Sequence, residues 1–268
     1  MQLQLLLSFA LLAAGVSAFY VAQQEPESGD SQNPYARFVV SIQTKLPSSY
    51  YFGGNHRCVG TIVAPIFVLT STLCLLANKN HTRSRQLLLP HELLIIAGAP
   101  NRQRPTQDTR ILHVQSIHTY SRHDMALLRL QDLHMVEPNV TQALAIAPLP
   151  THPAYVHSAH CFLLAWGKPR EQWQKQQLTP LPFRLLSARA CEDLNPQGFR
   201  RGVFCAQVVP EEPLDVSGDS LAAPLFCGNK LAGIVHRTVL CDHRYTSLFY
   251  SIYAHRFWIR ATFNSCCR

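Results

Sequence analysis

The stretch VLTSTLC at residues 68–74 follows CVGTIV at residues 58–63, and together they show the pattern that runs through the chain. Both are short apolar runs with β-branched residues, and each carries a cysteine at its outer end, Cys58 or Cys74. Further runs of this kind are FVVSI (38–42), ELLIIAG (92–98) and LAGIV (231–235), separated by proline-rich and polar connections. The spacing predicts an all-β barrel or sandwich. Only YAHRFWIR (253–260) has a helical pattern, which would set Tyr253, Phe257 and Trp258 on one face.

The composition predicts a folded, secreted chain. Its 268 residues are 47% hydrophobic and 15% charged, which is ample for one or two cores. Residues 1–18, MQLQLLLSFALLAAGVSA, combine an apolar run with small residues near Ala18 and predict a secretory signal peptide. The run is shorter than the roughly 20 residues that span a bilayer, and no later segment is predicted to span one. The polar, acidic residues 19–33 are predicted to form a flexible arm, and the folded domain is predicted to cover 34–268.

The nine cysteines predict a disulfide framework, because thiols are oxidised along the secretory route. The odd number leaves one cysteine free, capped by a small thiol, or bridged to another chain in a disulfide-linked dimer, and Cys266 or Cys267 in the cysteine-rich tail is the obvious source. No CxxC pair and no HExxH motif occurs, so neither a metal site nor a cofactor is predicted. Two sequons predict glycosylation at Asn80 and Asn139.

The formal net charge of +8 is concentrated in part between residues 79 and 110. Only Glu92 and Asp108 offset the basic residues of this segment, which are Lys79, Arg83, Arg85, Arg102, Arg104 and Arg110. The segment is either a solvated loop face or a binding surface for an anionic partner, such as a sulfated glycan or an acidic protein surface. Nucleic acid is not an expected partner of a secreted chain.

Several motifs resemble, in order, landmarks of the chymotrypsin/trypsin-like serine protease family. PYARFVVSIQ (34–43) is similar to its first core strand, and CVGTIV with VLTSTLC is similar to the segment that carries the catalytic histidine between bridged cysteines. DMALLRL (124–130) resembles the motif of the catalytic aspartate, and CFLLAWG (161–167) resembles the family's C-x-x-x-G-W-G. Trp258 and Ile259 resemble the W-I of the terminal helix.

The resemblance implies two six-stranded antiparallel β-barrels with a C-terminal α-helix, and an active site in the cleft between the barrels. It also implies three disulfides, which join Cys58 with Cys74, Cys161 with Cys227 and Cys191 with Cys205. Cys241, Cys266 and Cys267 remain, and Cys241 could bridge to either of the other two.

The catalytic positions are degenerate. The family's mechanism needs a hydroxyl nucleophile, an imidazole base, a carboxylate and backbone donors for the oxyanion. The resemblance places Asp124 at the carboxylate but Leu73 at the base, and a leucine side chain accepts no proton. Neither His81 nor His123 is expected to replace the base, because each lies outside the matched position.

The nucleophile segment SGDSLAAPLFC (217–227) has one residue more between its serine and proline than the family's G-D-S-G-G-P-L. An ungapped alignment on Pro224 places Leu221 at the nucleophile, whereas alignment on the GDS letters keeps Ser220 and inserts a residue into a tight turn. We favour Leu221, because an insertion would displace the backbone donors of the oxyanion hole. In both alignments alanines stand where the family has glycines, whose permissive backbone builds that turn.

The specificity pocket and the activation segment also differ from the family. The substrate-binding strand falls at His236, Arg237 and Thr238, and Asp215 lies where trypsin-like members keep an acidic specificity residue or is a surface acid. Residues 1–36 contain no Arg or Lys and no IVGG motif, which active members expose by cleavage.

Together these departures predict a secreted, catalytically inactive serine protease homologue that acts by binding extracellular proteins, such as active proteases or their inhibitors, as a cofactor, decoy or regulator. Two alternatives remain open. One is a weak serine endopeptidase that uses Ser220 with an unconventional base, and the other is a polyanion-binding module formed by the basic segment 79–110.

Overall fold

The computed structural model describes residues 33–45, 52–77, 86–131, 144–153, 160–166, 176–194, 201–209, 220–241 and 244–265. The predicted signal peptide, the predicted arm apart from Asn33, both sequons, Asp215 and the C-terminal cysteines lie outside these residues. The pairing of Cys241, Cys266 and Cys267 therefore stays a prediction.

Six antiparallel strands close into a first barrel in the order β1-β2-β3-β6-β5-β4. They are β1 (Val39–Thr44), β2 (His56–Ala64), β3 (Phe67–Thr70), β4 (Leu93–Ala97), β5 (Arg110–Tyr120) and β6 (Met125–Leu130). Every residue of β1 is buried, and Ile42 lies opposite both Cys58 and Ile95. The first strand begins at Val39 rather than Phe38, because Ala36–Phe38 forms a 3-10 helix.

A second barrel has the strand order β10-β11-β12-β9-β8-β7. Its strands are β7 (Cys161–Ala165), β8 (Thr179–Leu185), β9 (Val203–Val208), β10 (Pro224–Cys227), β11 (Lys230–Cys241) and β12 (Arg244–Ser251). A C-terminal helix follows directly on β12. Two six-stranded barrels and a terminal helix are the architecture that the resemblance implied, so the fold prediction is confirmed.

The described residues of the second half of the chain include two α-helices, α1 (Ala188–Leu194) and α2 (Ile252–Ser265). The sequence pattern did not predict α1. The Ser187 hydroxyl accepts the Ala190 N–H at its start, and a disulfide fixes Cys191 to β9, so a capping contact and a covalent tether compensate for its short length. Among the described residues, no helix is both long enough and apolar enough to cross a membrane.

The predicted face of α2 is wrong in one respect. The buried residues of α2 are Ile252, His255, Ile259 and Thr262. Trp258 packs on Tyr120 of the first barrel with 5.0 Å between ring centroids, but the Phe257 ring is 71% exposed and lies on the solvent side. Helical spacing alone does not say which of two aromatic-bearing sides meets the core.

The two barrels share one hydrophobic core. At their junction, the Pro100 carbonyl of the first barrel accepts hydrogen bonds from the Leu178 N–H at 2.8 Å and from the Trp166 indole at 3.0 Å. Three disulfides join Cys58 with Cys74, Cys161 with Cys227 and Cys191 with Cys205, which are the pairs that the resemblance implied.

Candidate functional site at the junction of the barrels

Hydrogen bonds join the short helix that contains Leu73 to Asp124 and to the start of β6 in the first barrel. Leu73 belongs to a 3-10 helix, Thr72–Leu75, which begins where the Ser71 hydroxyl accepts the Leu73 N–H at 3.2 Å. The Thr72 N–H donates to the Asp124 carbonyl at 3.2 Å, and the Thr72 hydroxyl donates to the Met125 carbonyl at 2.9 Å. These bonds hold the helix that contains Leu73 against the start of β6.

The turn before β10 reaches the same place from the second barrel. The Val59 N–H in β2 donates to the Leu221 carbonyl at 3.1 Å. The residue before Val59 is Cys58, which forms a disulfide with Cys74. Cys74 is the residue that follows Leu73. Hydrogen bonds and one disulfide therefore connect the segments that contain Leu73, Asp124 and Leu221.

Backbone bonds fix the shape of this turn. The Ala222 N–H donates to the Val235 carbonyl at 3.1 Å, and the Val235 N–H donates to the Ala223 carbonyl at 2.9 Å. Ala222 has a φ of 63°, in the left-handed region that costs roughly 1–2 kcal/mol for a residue with a Cβ. The turn thus keeps a glycine-type conformation at an alanine.

The two candidate nucleophile positions differ in burial. Ser220 is 3% exposed, whereas Leu221 is only partly buried. A hydroxyl that attacks a substrate must reach a site open to that substrate. Of the two residues, Leu221 is therefore the more accessible, and the choice between the two alignments stays a prediction.

The strand that would form the pocket wall has a register irregularity at His236 and is paired with β12 on both sides of it. From Arg237 to Cys241, β11 is in register with β12. The His236 ring packs on the Tyr250 ring with centroids 4.5 Å apart, the Arg237 side chain is exposed, and the Thr238 and Ser247 hydroxyls are 3.2 Å apart.

Tyr250 joins the barrels at Asp124. Its hydroxyl accepts the Asp124 N–H at 3.2 Å, and its ring lies 5.2 Å from the His123 ring, centroid to centroid. Sequence analysis did not identify Tyr250, because no local pattern relates a residue of β12 to a turn 126 positions earlier.

A buried histidine lies behind this contact. The His255 side chain is 5% exposed, its Nδ1 is 2.6 Å from the Ser251 carbonyl, and its ring is 4.7 Å from that of His123. Burial lowers the pKa of His255 below its usual value, and the neighbouring His123 lowers it further against the opposing effect of the Ser251 carbonyl. Burial therefore favours the neutral form of the His255 imidazole.

The site contains a carboxylate but no base at residue 73. Leucine neither accepts nor donates a proton, so the Leu73 side chain cannot activate a nucleophile. Among the described residues, no three His, Cys, Asp or Glu side chains form a group that could hold a metal ion.

A protein-family model described as Trypsin matches residues 27–259. The chain therefore belongs to the trypsin family.

Curated relatives include two coagulation proteins and one kallikrein. The chain is 26% identical to coagulation factor XII of Bos taurus over 249 residues, which cover 83% of this chain and 39% of that protein. It is 26% identical to coagulation factor XII of Cavia porcellus, with 72% and 32% covered, and 27% identical to kallikrein-2 of Homo sapiens, with 69% and 70% covered. The chain thus spans well under half the length of these factor XII relatives.

Proposed function

We propose that this trypsin-family protein is secreted and catalytically inactive, and that it acts by binding extracellular proteins, such as active proteases or their inhibitors. The observation that carries the proposal is Leu73, which the resemblance aligns with the catalytic histidine and whose neighbour Thr72 bonds to the Asp124 carbonyl. In a serine protease of an unrelated fold that uses the same triad, loss of the histidine or the serine alone costs about 10⁶ in turnover. A leucine at this position predicts a loss of that order.

Three further features support the proposal. The partly exposed residue of the turn is Leu221, and Ser220 is buried. Arg237 and the Thr238–Ser247 contact stand where the family's substrate-binding strand leads to its specificity pocket. Because these defects are separate, repair of one of them is not expected to restore activity.

The test is hydrolysis of chromogenic peptides with basic, aromatic or small residues before the scissile bond. The native protein, Leu73→His and Leu221→Ser are each expected to give no turnover above background. A fluorophosphonate probe is expected to leave Ser220 unlabelled. Far-UV circular dichroism and intact disulfides serve as controls that each variant is folded.

The enzyme alternative makes the opposite prediction. Turnover by the native protein that disappears in Ser220→Ala would show a serine peptidase and overturn the proposal. Rescue by Leu73→His alone would show that a serine is already in place, and so that Leu221 is not the residue at the nucleophile position.

Secretion is tested separately by expression in a mammalian cell line. The proposal expects the protein in the medium, with Phe19 as its first residue and with a mass that falls on treatment with an N-glycosidase. The variants Asn80→Gln and Asn139→Gln should each remove one glycan. Retention of residues 1–18 in the mature protein would contradict the proposed signal peptide.

A further inference from the structure

The solvent side of α2 carries an aromatic and basic surface that the site between the barrels does not use. Phe257 is the large hydrophobic residue with the greatest exposure among those described. Arg260 is exposed three positions further on, and the helix contains no Asp or Glu. An exposed phenylalanine next to exposed cations is typical of interaction surfaces, which are enriched in aromatic residues and arginine.

The Arg256 side chain is held in place between two rings. Its guanidinium carbon is 3.9 Å from the Tyr253 ring centroid and 4.3 Å from the Phe257 ring centroid. Its Nη1 donates to the Tyr253 carbonyl at 2.7 Å. A guanidinium has five N–H donors, so this bond leaves others for a carboxylate. Stacking fixes the group in advance and lowers the entropy lost when it binds an anion.

Tyr253 also lines a cleft of about 250 Å³. The other lining residues are Pro153, Leu185, Leu186, Gly202, Val203, Phe204, Ser251 and Ala254. Most of these side chains are apolar. The cleft is smaller than the roughly 300–1,000 Å³ of small-molecule pockets, but larger than a cavity of about 150 Å³ that holds benzene. Its size suits a single large apolar side chain.

The charges around the cleft are mainly positive. Arg201 is exposed beside Gly202, and Arg256 stacks on Tyr253. Helix α1, which follows Leu186, carries exposed Arg189, Glu192 and Asp193 and so has a net charge of −1, which offsets one of these two arginines. A ligand that fills the cleft and contacts Tyr253 is therefore close to Arg256, which stacks on that ring.

We propose that the surface formed by this cleft, Arg256, Phe257 and Arg260 binds an acidic peptide segment of a protein partner. One aromatic or large aliphatic side chain of the segment enters the cleft, and neighbouring carboxylates bind Arg256 and Arg260. A sulfated glycan offers charge but no apolar group for the cleft, and a bilayer presents no side chain that enters a concave site. The inference rests on the proposed binding function, to which it adds a surface and the chemistry of the partner.

The test uses the secreted full-length protein and a fluorescein-labelled peptide, EGEEFEEGE. Fluorescence anisotropy should show saturable binding. Replacement of the peptide's Phe by Ala, or of its Glu residues by Lys, should weaken binding at least about tenfold, because either the anchor or the charge-assisted bonds are lost. Arg256→Gln should have a similar effect on the native peptide. Ala254→Trp should fill the cleft and abolish binding.

Ala261→Trp is the matched control for the cleft variant. It makes the same substitution at an exposed alanine of α2 that is two turns further on and does not line the cleft. Arg104→Gln is the matched control for charge, because Arg104 is exposed in the first barrel. Both controls should bind the peptide as the native protein does, and thermal unfolding should show that all variants are folded.

Three results would overturn the inference. The first is no saturable binding up to about 1 mM peptide. The second is equal weakening by Ala254→Trp and Ala261→Trp. The third combines two measurements: the peptides with Phe and with Ala bind with equal affinity, and Arg256→Gln weakens the binding of fluorescein-labelled heparin. That combination would assign the surface to a sulfated glycan. Hydrolysis is measured in a separate assay. Turnover of peptide substrates by the native protein would overturn the proposed function, whereas the acidic-peptide surface would still be accepted or rejected on the anisotropy results alone.

Discussion

Tyr250→Phe isolates the bond that ties Asp124 to the second barrel. The substitution removes one oxygen from a side chain that is 4% exposed and leaves the ring against His236 and His123. The Asp124 N–H then loses an acceptor at 3.2 Å. An intramolecular hydrogen bond contributes about 0.5–1.5 kcal/mol, and an orphaned buried donor costs about 1–3 kcal/mol.

Because Asp124 is only partly buried, water can reach its N–H in part, and we expect a loss of about 1–2 kcal/mol in the free energy of unfolding. For a domain of this size, each kcal/mol lowers the melting temperature by about 2–4 °C. The assay is equilibrium unfolding in urea with the disulfides intact, followed by tryptophan fluorescence and circular dichroism. The midpoint should fall and the slope should not change.

Tyr245→Phe is the matched control, because Tyr245 is a partly buried tyrosine of the same strand. It should change the free energy of unfolding by less than about 0.5 kcal/mol. Equal values for Tyr250→Phe and Tyr245→Phe would refute the reasoning, since the bond to Asp124 would then contribute nothing to the junction.

Three other changes test the fold. Replacing Cys161 and Cys227 by Ala should lower the free energy of unfolding by about 4 kcal/mol, and replacing Cys191 and Cys205 should lower it by about 3 kcal/mol. The first loss is larger because that disulfide joins residues 66 positions apart, whereas the second joins residues 14 positions apart. Urea unfolding of the two variants should show that order. Gly60→Ala should lower the free energy of unfolding by about 1–3 kcal/mol, because a Cβ at residue 60 would lie 2.6 Å from a Val68 methyl carbon. An unchanged melting temperature would contradict this packing. Burial lowers the pKa of His255 in the folded protein, so the unfolded chain binds a proton at this residue more readily. The stability that the neutral ring contributes is therefore complete above the usual histidine pKa of 6.5. It is lost as the pH falls from 6.5 through the lower pKa of the folded state. The melting temperature should therefore fall on acidification below about pH 6.5, less so in His255→Gln, and equal pH dependence of the two proteins would exclude this assignment.

Much of the candidate site could be predicted from the sequence, because the residue types and the order of the motifs along the chain were enough to locate its positions. The motifs around Cys58, Cys74 and Asp124 located three landmarks, and Leu73 excluded a base whatever its surroundings. The sequence favoured Leu221 over Ser220 as the residue at the nucleophile position, but it did not show how deeply either residue is buried. Their unequal burial depends on how the turn packs against Val59 and Val235.

The sequence by itself determined that the chain forms short strands and that residue 73 carries no proton acceptor, because both follow from side-chain chemistry at each position. Only the tertiary structure decided that Tyr250 holds Asp124 and that Phe257 faces solvent while Trp258 packs inward. These outcomes depend on how two closed barrels meet and how α2 lies against them. Contacts between residues far apart in the chain leave no periodic signal in the local sequence.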